Sequence, residues 1–314
     1  MTKQDNSVDK FSVLFLIIPT LFVITGLLFF SSSPPDEIEM PLLIILFGSL
    51  LLLGVGSIIK KENIAVAGKL KIIGWIFFAF YWSTKTNSLY FDVDGDIVNA
   101  FLCVAGIYVL FYIAYHEWLS LRKNEEIGCL NWAAGAAAIA GLIYFGVERT
   151  PLAQWLIDIV AVQSGWLLNL FIGSVEVHQS SIYHEGRFVV NIIFACTAIQ
   201  SMVLFVGLIL PLYGVKIKRK LFGLVVTVVP IYFLNLVRNA SVAFLVKDNP
   251  DVFFMAHNVI GKGGSLIALV ILLLIVIKVL PELFDEIIHL IDLYKRDGPI
   301  ERFFKRYFGR KKKA

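Results

Sequence analysis

Cys196, Arg238 and His257 have the chemistry of covalent catalysis, and each falls in a separate apolar segment of the chain. The thiolate is the attacking form of cysteine, and burial among apolar groups raises a thiol above its free value of about 8.5. An adjacent imidazole that takes the proton restores the nucleophile at neutral pH, and His257 can be that base. When sulfur attacks a peptide carbonyl, negative charge gathers on oxygen. A fixed forked donor such as Arg238 stabilises that charge more than it stabilises the ground state, and loss of one such donor commonly costs about 2–4 kcal/mol.

Each residue alone also has a plainer reading. A single cysteine in an apolar helix is ordinarily a small buried hydrophobe. An arginine near a helix end can snorkel to the interface, and a histidine there can be an interfacial polar group. The joint reading rests on depth. Cys196 and Arg238 each lie about seven residues inside the outer end of their expected helices, roughly 11 Å at 1.5 Å per residue. Asn249 as cap and Pro250 in the first turn predict a helix start about two turns before His257. A charge inside a span costs about 2.5–3.5 kcal/mol on insertion scales, so Arg238 marks a functional site.

Asn235 and Asn239 flank the arginine as expected supports, and Thr197, Gln200 and Ser201 complete the expected substrate-binding and supporting set. Cys103 and Cys129 have no basic partner at the same level, and His116 and His289 belong to the cytoplasmic side, so all four read as structural. His178 and His184 are alternative bases or substrate contacts. The run from Gly261 to Ser265 lacks the spacing of a phosphate loop and reads as close helix packing. Three cysteines in unlike contexts fit neither a disulfide framework nor a metal site, so no cofactor and no metal are expected.

The elements that carry these residues are membrane helices. The chain has 314 residues, 58% hydrophobic and 17% charged, which excludes a water-soluble enzyme. Windows near 11–30, 41–59, 66–82, 98–119, 129–147, 189–213, 221–245 and 250–280 are long enough to cross a bilayer about 30 Å thick. The expected fold is thus all-α and polytopic, with about eight spans. Residues 151–172 are also long enough, but Thr150-Pro151 and a stripe of Gln154, Asp158, Gly165 and Asn169 suggest an interfacial helix. Placing it at the surface keeps Lys60, Lys61, Lys69, Lys71, Arg122, Lys123, Lys216, Lys218, Arg219, Lys220 and the basic tail on one side, the cytoplasmic one. Both termini are then inside, and the acidic loops with Asp36, Asp92, Asp94 and Asp96 face outward with the cysteine level.

Four regions follow: five spans in 1–147, an interfacial helix and short β-hairpin in 148–188, a core of three spans in 189–280, and an amphipathic basic tail in 281–314. The hairpin turns at His178 to Ser181 and leads directly into the Cys196 segment. The tail is expected to lie on the anionic membrane surface.

Three blocks carry a resemblance: Phe194-Ala195-Cys196-Thr197-Ala198-Ile199-Gln200-Ser201-Met202, Asn235-Leu236-Val237-Arg238-Asn239, and the later His257. Together they resemble the exosortase and archaeosortase family of membrane cysteine peptidases, most closely its archaeosortase A branch. The likeness covers residues 173–265 well, while the first 130 match only in being hydrophobic and multispanning. It implies Cys196 as nucleophile with Arg238 and His257 as further essential residues. It also implies secreted protein substrates with a C-terminal signal, namely a Pro-Gly-Phe type motif, a transmembrane helix and a basic tail. A membrane lipid would be the acceptor, the host would be archaeal, and nucleic acid has no role. One departure is Ala198, where the family often has glycine. The contrasting expectations are a transporter or lipid-handling protein with Arg238 in an anion site, and a noncatalytic holder of substrate tails.

Overall fold

The computed structural model describes residues 3–30, 36–59, 63–91, 97–296 and 298–308. The 31–35 segment, Lys60, Lys61, Asp92, Asp94, Asp96 and the Arg310 to Lys313 run lie outside the described residues. Long apolar runs become helices because lipid leaves each backbone N–H and C=O to be satisfied within its own segment. The helices are α1 (Lys3–Phe29), α2 (Asp36–Ile58), α3 (Ile64–Ser83), α4 (Thr86–Phe91), α5 (Ile97–Lys123), α6 (Gly128–Glu148) and α7 (Pro151–Ile172). A sheet of β1 (Val175–His178), β2 (Ser181–His184) and β3 (Arg187–Asn191) follows, then α8 (Ile199–Ile209), α9 (Ile217–Val246), α10 (Lys262–Val279), α11 (Pro281–Ile291) and α12 (Pro299–Phe308).

Seven helical stretches among the described residues are long and apolar enough to cross a membrane: Glu37–Ile58, Ile64–Phe91, Asn99–Lys123, Gly128–Glu148, Pro151–Ile172, Ile217–Val246 and Met255–Val279. Val13–Phe29 and Ile199–Ile209 are shorter apolar helices. One expectation changes. The stretch 189–213 is no single span, since strand, turn and the 11 residues of α8 divide it. At 1.5 Å per residue α8 reaches only about half the hydrocarbon thickness. The 22 residues of α7 form one helix, as long as the sequence allowed.

The chain divides into two compact units, Met1–Ala138 with Glu286–Ala314, and Ile139–Asp285. In the first, α3 packs against α2 and α5. Glycine permits the close approach: a Cβ on Gly74 would lie 2.9 Å from Leu53 Cγ. Lys71 and Glu117, both almost fully buried, pair at 2.9 Å, and Lys71 also donates to Asn131, tying α3, α5 and α6 together. The tail is not one continuous helix. It breaks into α11, a short turn and α12, and Glu301 of α12 enters the unit. There Tyr112 and Tyr115 donate to the two carboxylate oxygens at 2.8 and 3.0 Å, and His116 Nε2 lies 3.2 Å away. A buried carboxylate needs such partners, which is why the tail docks on protein.

In the second unit the sheet order is β1-β2-β3, antiparallel throughout, one strand more than the expected hairpin. Glu185 and Gly186 both have positive φ, 51° and 73°, which gives the β2–β3 turn the twist that favours a two-residue hairpin. A β-bulge opposite Ile182 and Tyr183 turns two successive residues, Val189 and Val190, into the core. That core joins them to Val160, Ala161 and Leu168 of α7 and to Leu236, Ala240 and Ala243 of α9, with Cys196 in the same cluster. Gly165 lets β1 sit against α7, since a Cβ there would fall 2.3 Å from Val177 Cγ2.

Candidate active site

Cys196 sits in a 3-10 turn over Phe194–Thr197, where a position two turns into a helix was expected. The reason is local. Ile192 N–H still bonds to Ser180 O at 2.8 Å as the last rung beside β3, so the chain leaves the sheet only at Ile193. It must then reverse into α8. The Cys196 N–H bonds to Ile193 O at 2.8 Å, and Thr197 Oγ1 donates to Phe194 O at 2.7 Å while accepting from Ile199 N–H at 3.4 Å. Ala198 makes the reversal in the left-handed region, φ 61° and ψ 4°. A Cβ in that conformation costs roughly 1–2 kcal/mol, so the position favours glycine.

The expected supports have a different client. Asn235 Nδ2 donates to the main-chain oxygen of Cys196 at 2.7 Å, and Asn239 Nδ2 donates to the same oxygen at 3.0 Å. Four residues apart, they share one face of α9, so both reach a single acceptor. Asn239 also stands 3.5 Å from Ser164 Oγ of α7. All four groups are buried, which makes each bond expensive to lose. The asparagines therefore hold the cysteine turn. Ser164 was not foreseen; a serine beside Gly165 in an apolar helix was the available signal.

Arg238 lies between the asparagines in sequence and is half-buried. Its guanidinium rests on Gly261: a Cβ built on that glycine would lie 3.0 Å from Nε and 3.6 Å from Nη2. Nε is buried and has no hydrogen-bond partner among the described residues. Gly261 thus acts as a seat, the close packing expected of its glycine run. Gly263 and Gly264 have open space around them.

His257 and Gly261 belong to one π-helical segment, Met255–Gly261, which packs on α9. Such wide turns are rare and recur at functional sites. Asn249 caps the preceding turn, its Oδ1 accepting from Asp251 N–H at 3.2 Å, with Pro250 in the first position as expected. The His257 ring stacks on Phe253, centroids 5.2 Å apart and planes within 8°. Arg238 and the His257 segment are thus in contact through Gly261, while Cys196 is bound to the helix of Arg238 through its carbonyl. Gln200 is exposed and Ser201 half-buried in the first turn of α8.

The remaining polar candidates sit elsewhere. His178 is exposed and reaches Glu176 at 3.3 Å, and His116 belongs to the Glu301 cluster of the first unit. Cys103 is buried there with its thiol 3.3 Å from Trp82 O, and Cys129 is buried and free.

The fold is that of a multi-pass membrane protein whose buried cysteine turn is pinned to a helix that carries a half-buried arginine. Residues 132–276 match the family model of the transmembrane exosortases. The chain is 22% identical over 271 residues to Archaeosortase A of Haloferax volcanii, covering 74% of this chain and 87% of the relative. It is 24% identical over 259 residues to Archaeosortase A of Natronomonas pharaonis, covering 72% and 80%. No solved structure matches it. Over residues 132–276 the chain is thus similar to the transmembrane exosortases, and over most of its length to the two archaeosortases.

Proposed function

We propose that the protein is a cysteine transpeptidase that removes the C-terminal sorting signal of secreted surface proteins and transfers them to a membrane lipid. The observation that carries this reading is the double hydrogen bond from Asn235 and Asn239 to the Cys196 carbonyl, which couples the cysteine turn to the helix bearing Arg238. In the proposed reaction Cys196 Sγ bonds to the scissile carbonyl carbon and its proton passes to His257. The Cys196 N–H is already committed to Ile193 O, so the oxyanion needs another donor. Arg238 supplies it, and its partnerless Nε supports that role. Collapse breaks the C–N bond, and His257 gives its proton to the departing amine. A nucleophilic lipid headgroup then attacks the thioester, its proton passing through His257 back to sulfur.

The substrate on this reading carries a Pro-Gly-Phe type motif, a transmembrane helix and a basic tail. With both termini of the enzyme cytoplasmic and the site facing outward, the substrate's basic end stays inside and its motif reaches the level of Cys196. The test is expression with a signal-bearing substrate in an archaeal host. Cys196→Ala and Cys196→Ser remain in the membrane and leave the substrate at precursor mass, and Arg238→Lys also fails because a point charge does not reproduce the fork. Unchanged maturation in Cys196→Ala overturns the proposal.

A further inference from the structure

We infer that the outer edge of β3 receives the substrate as an added antiparallel or parallel strand and delivers it to Cys196. The inference rests on the peptidase reading above and names how that site takes an extended polypeptide. Among the described residues the sheet ends at β3, with β2 on its inner side and no strand on the other. The register says which groups are free. Ile192 N–H bonds to Ser180 O, and Val190 is the partner of Ile182, so the hydrogen-bonding positions on the β2 side are 190 and 192. By the two-residue alternation of an antiparallel pair, the N–H and C=O of Asn191 point away from β2.

One face of β3 is covered by the core, and no strand pairs with this edge among the described residues. The bulge turns Val189 and Val190 into the cluster with α7 and α9, while Arg187, Phe188 and Asn191 stay exposed. The exposed line continues through Ile193 and Ala195 to the cysteine turn. Cys196 follows Asn191 by five residues, so the edge lies within about 18 Å of chain from the cysteine. An unpaired edge is a ready template for backbone pairing, and a polypeptide bound through its main chain is accepted with few demands on sequence. An enzyme that processes many proteins through one short motif needs this kind of reading. The free edge also explains the third strand: a two-stranded hairpin would leave the edge remote from the turn.

The experiment uses the full-length enzyme in liposomes and a semisynthetic substrate with a Pro-Gly-Phe motif and transmembrane segment. Amide bonds at six successive positions before the scissile bond are replaced singly by esters, each removing one N–H. Strand pairing predicts a fall in cleavage rate of about three- to tenfold at alternate positions, with little change between them. A flat profile, or one that only steepens toward the scissile bond, overturns the inference. No cleavage of the unmodified substrate overturns the peptidase reading instead. On the enzyme side Asn191→Pro removes the outward N–H and is expected to slow cleavage by the same factor. If Asn191→Pro loses its thermal transition in detergent, the ester series decides alone.

Discussion

Asn235 Nδ2 lies 2.7 Å from the carbonyl oxygen of Cys196, so a residue flanking Arg238 in sequence spends its amide on the cysteine turn. With Asn239 on the same oxygen, the position of the sulfur becomes a property of α9. The Cys196 turn and Arg238 are separated widely in sequence but share this one helix as a reference.

Asn235→Asp replaces the donor with a carboxylate facing a carbonyl oxygen. A buried acceptor left against an acceptor costs about 1–3 kcal/mol, so processing should fall about tenfold or more while the protein remains in the membrane. Asn235→Asp and Asn239→Asp together should lose far less than the product of the two, because they serve one acceptor. Pulse-chase maturation of a signal-bearing substrate reads both.

Gly261→Ala places a methyl group 3.0 Å from Arg238 Nε, and the guanidinium must move. Maturation is expected to drop at least tenfold at normal protein level. Gly263→Ala, where space is open, should behave as wild type. Equal effects of both would remove the seat from the argument.

Ala198→Gly relieves a left-handed residue. Since a Cβ in that region costs roughly 1–2 kcal/mol and glycine returns part of this as unfolded-state entropy, the net gain is on the order of 0.5–1 kcal/mol. Apparent Tm in detergent should rise, with processing unchanged.

The docking of α12 should depend on pH through Glu301. Burial pushes its carboxyl up, but hydrogen bonds from His116, a main-chain amide and Tyr112 outweigh that and hold it below the usual carboxylate range. A depressed folded pKa contributes stability that is present above the unfolded value of about 4.3 and is lost as pH falls through the folded one. A fluorophore attached through Arg302→Cys should report a fixed α12 from pH 8 to 5 and a mobile one at lower pH. Glu301→Gln should abolish that step.

Much was legible in the chain alone. Hydropathy is additive along a segment, so long apolar windows identify spans without knowledge of their neighbours, and six of the eight expected windows match helices of crossing length. Asn249-Pro250 announces its cap, and Gly261 its close packing, because caps and small-residue contacts are local signals. The residue types of Cys196, Arg238 and His257 likewise state their possible chemistry. Only the tertiary structure decided what those residues touch. Hydropathy cannot separate a buried strand and turn from a helix, so the 189–213 window hid β3, the Cys196 turn and the half-length α8. The partners of Asn235, Asn239 and Glu301 lie 39, 43 and more than 180 residues away in sequence. A hydrogen bond between such groups depends on the packing of separate helices, a relation that no window along the chain contains.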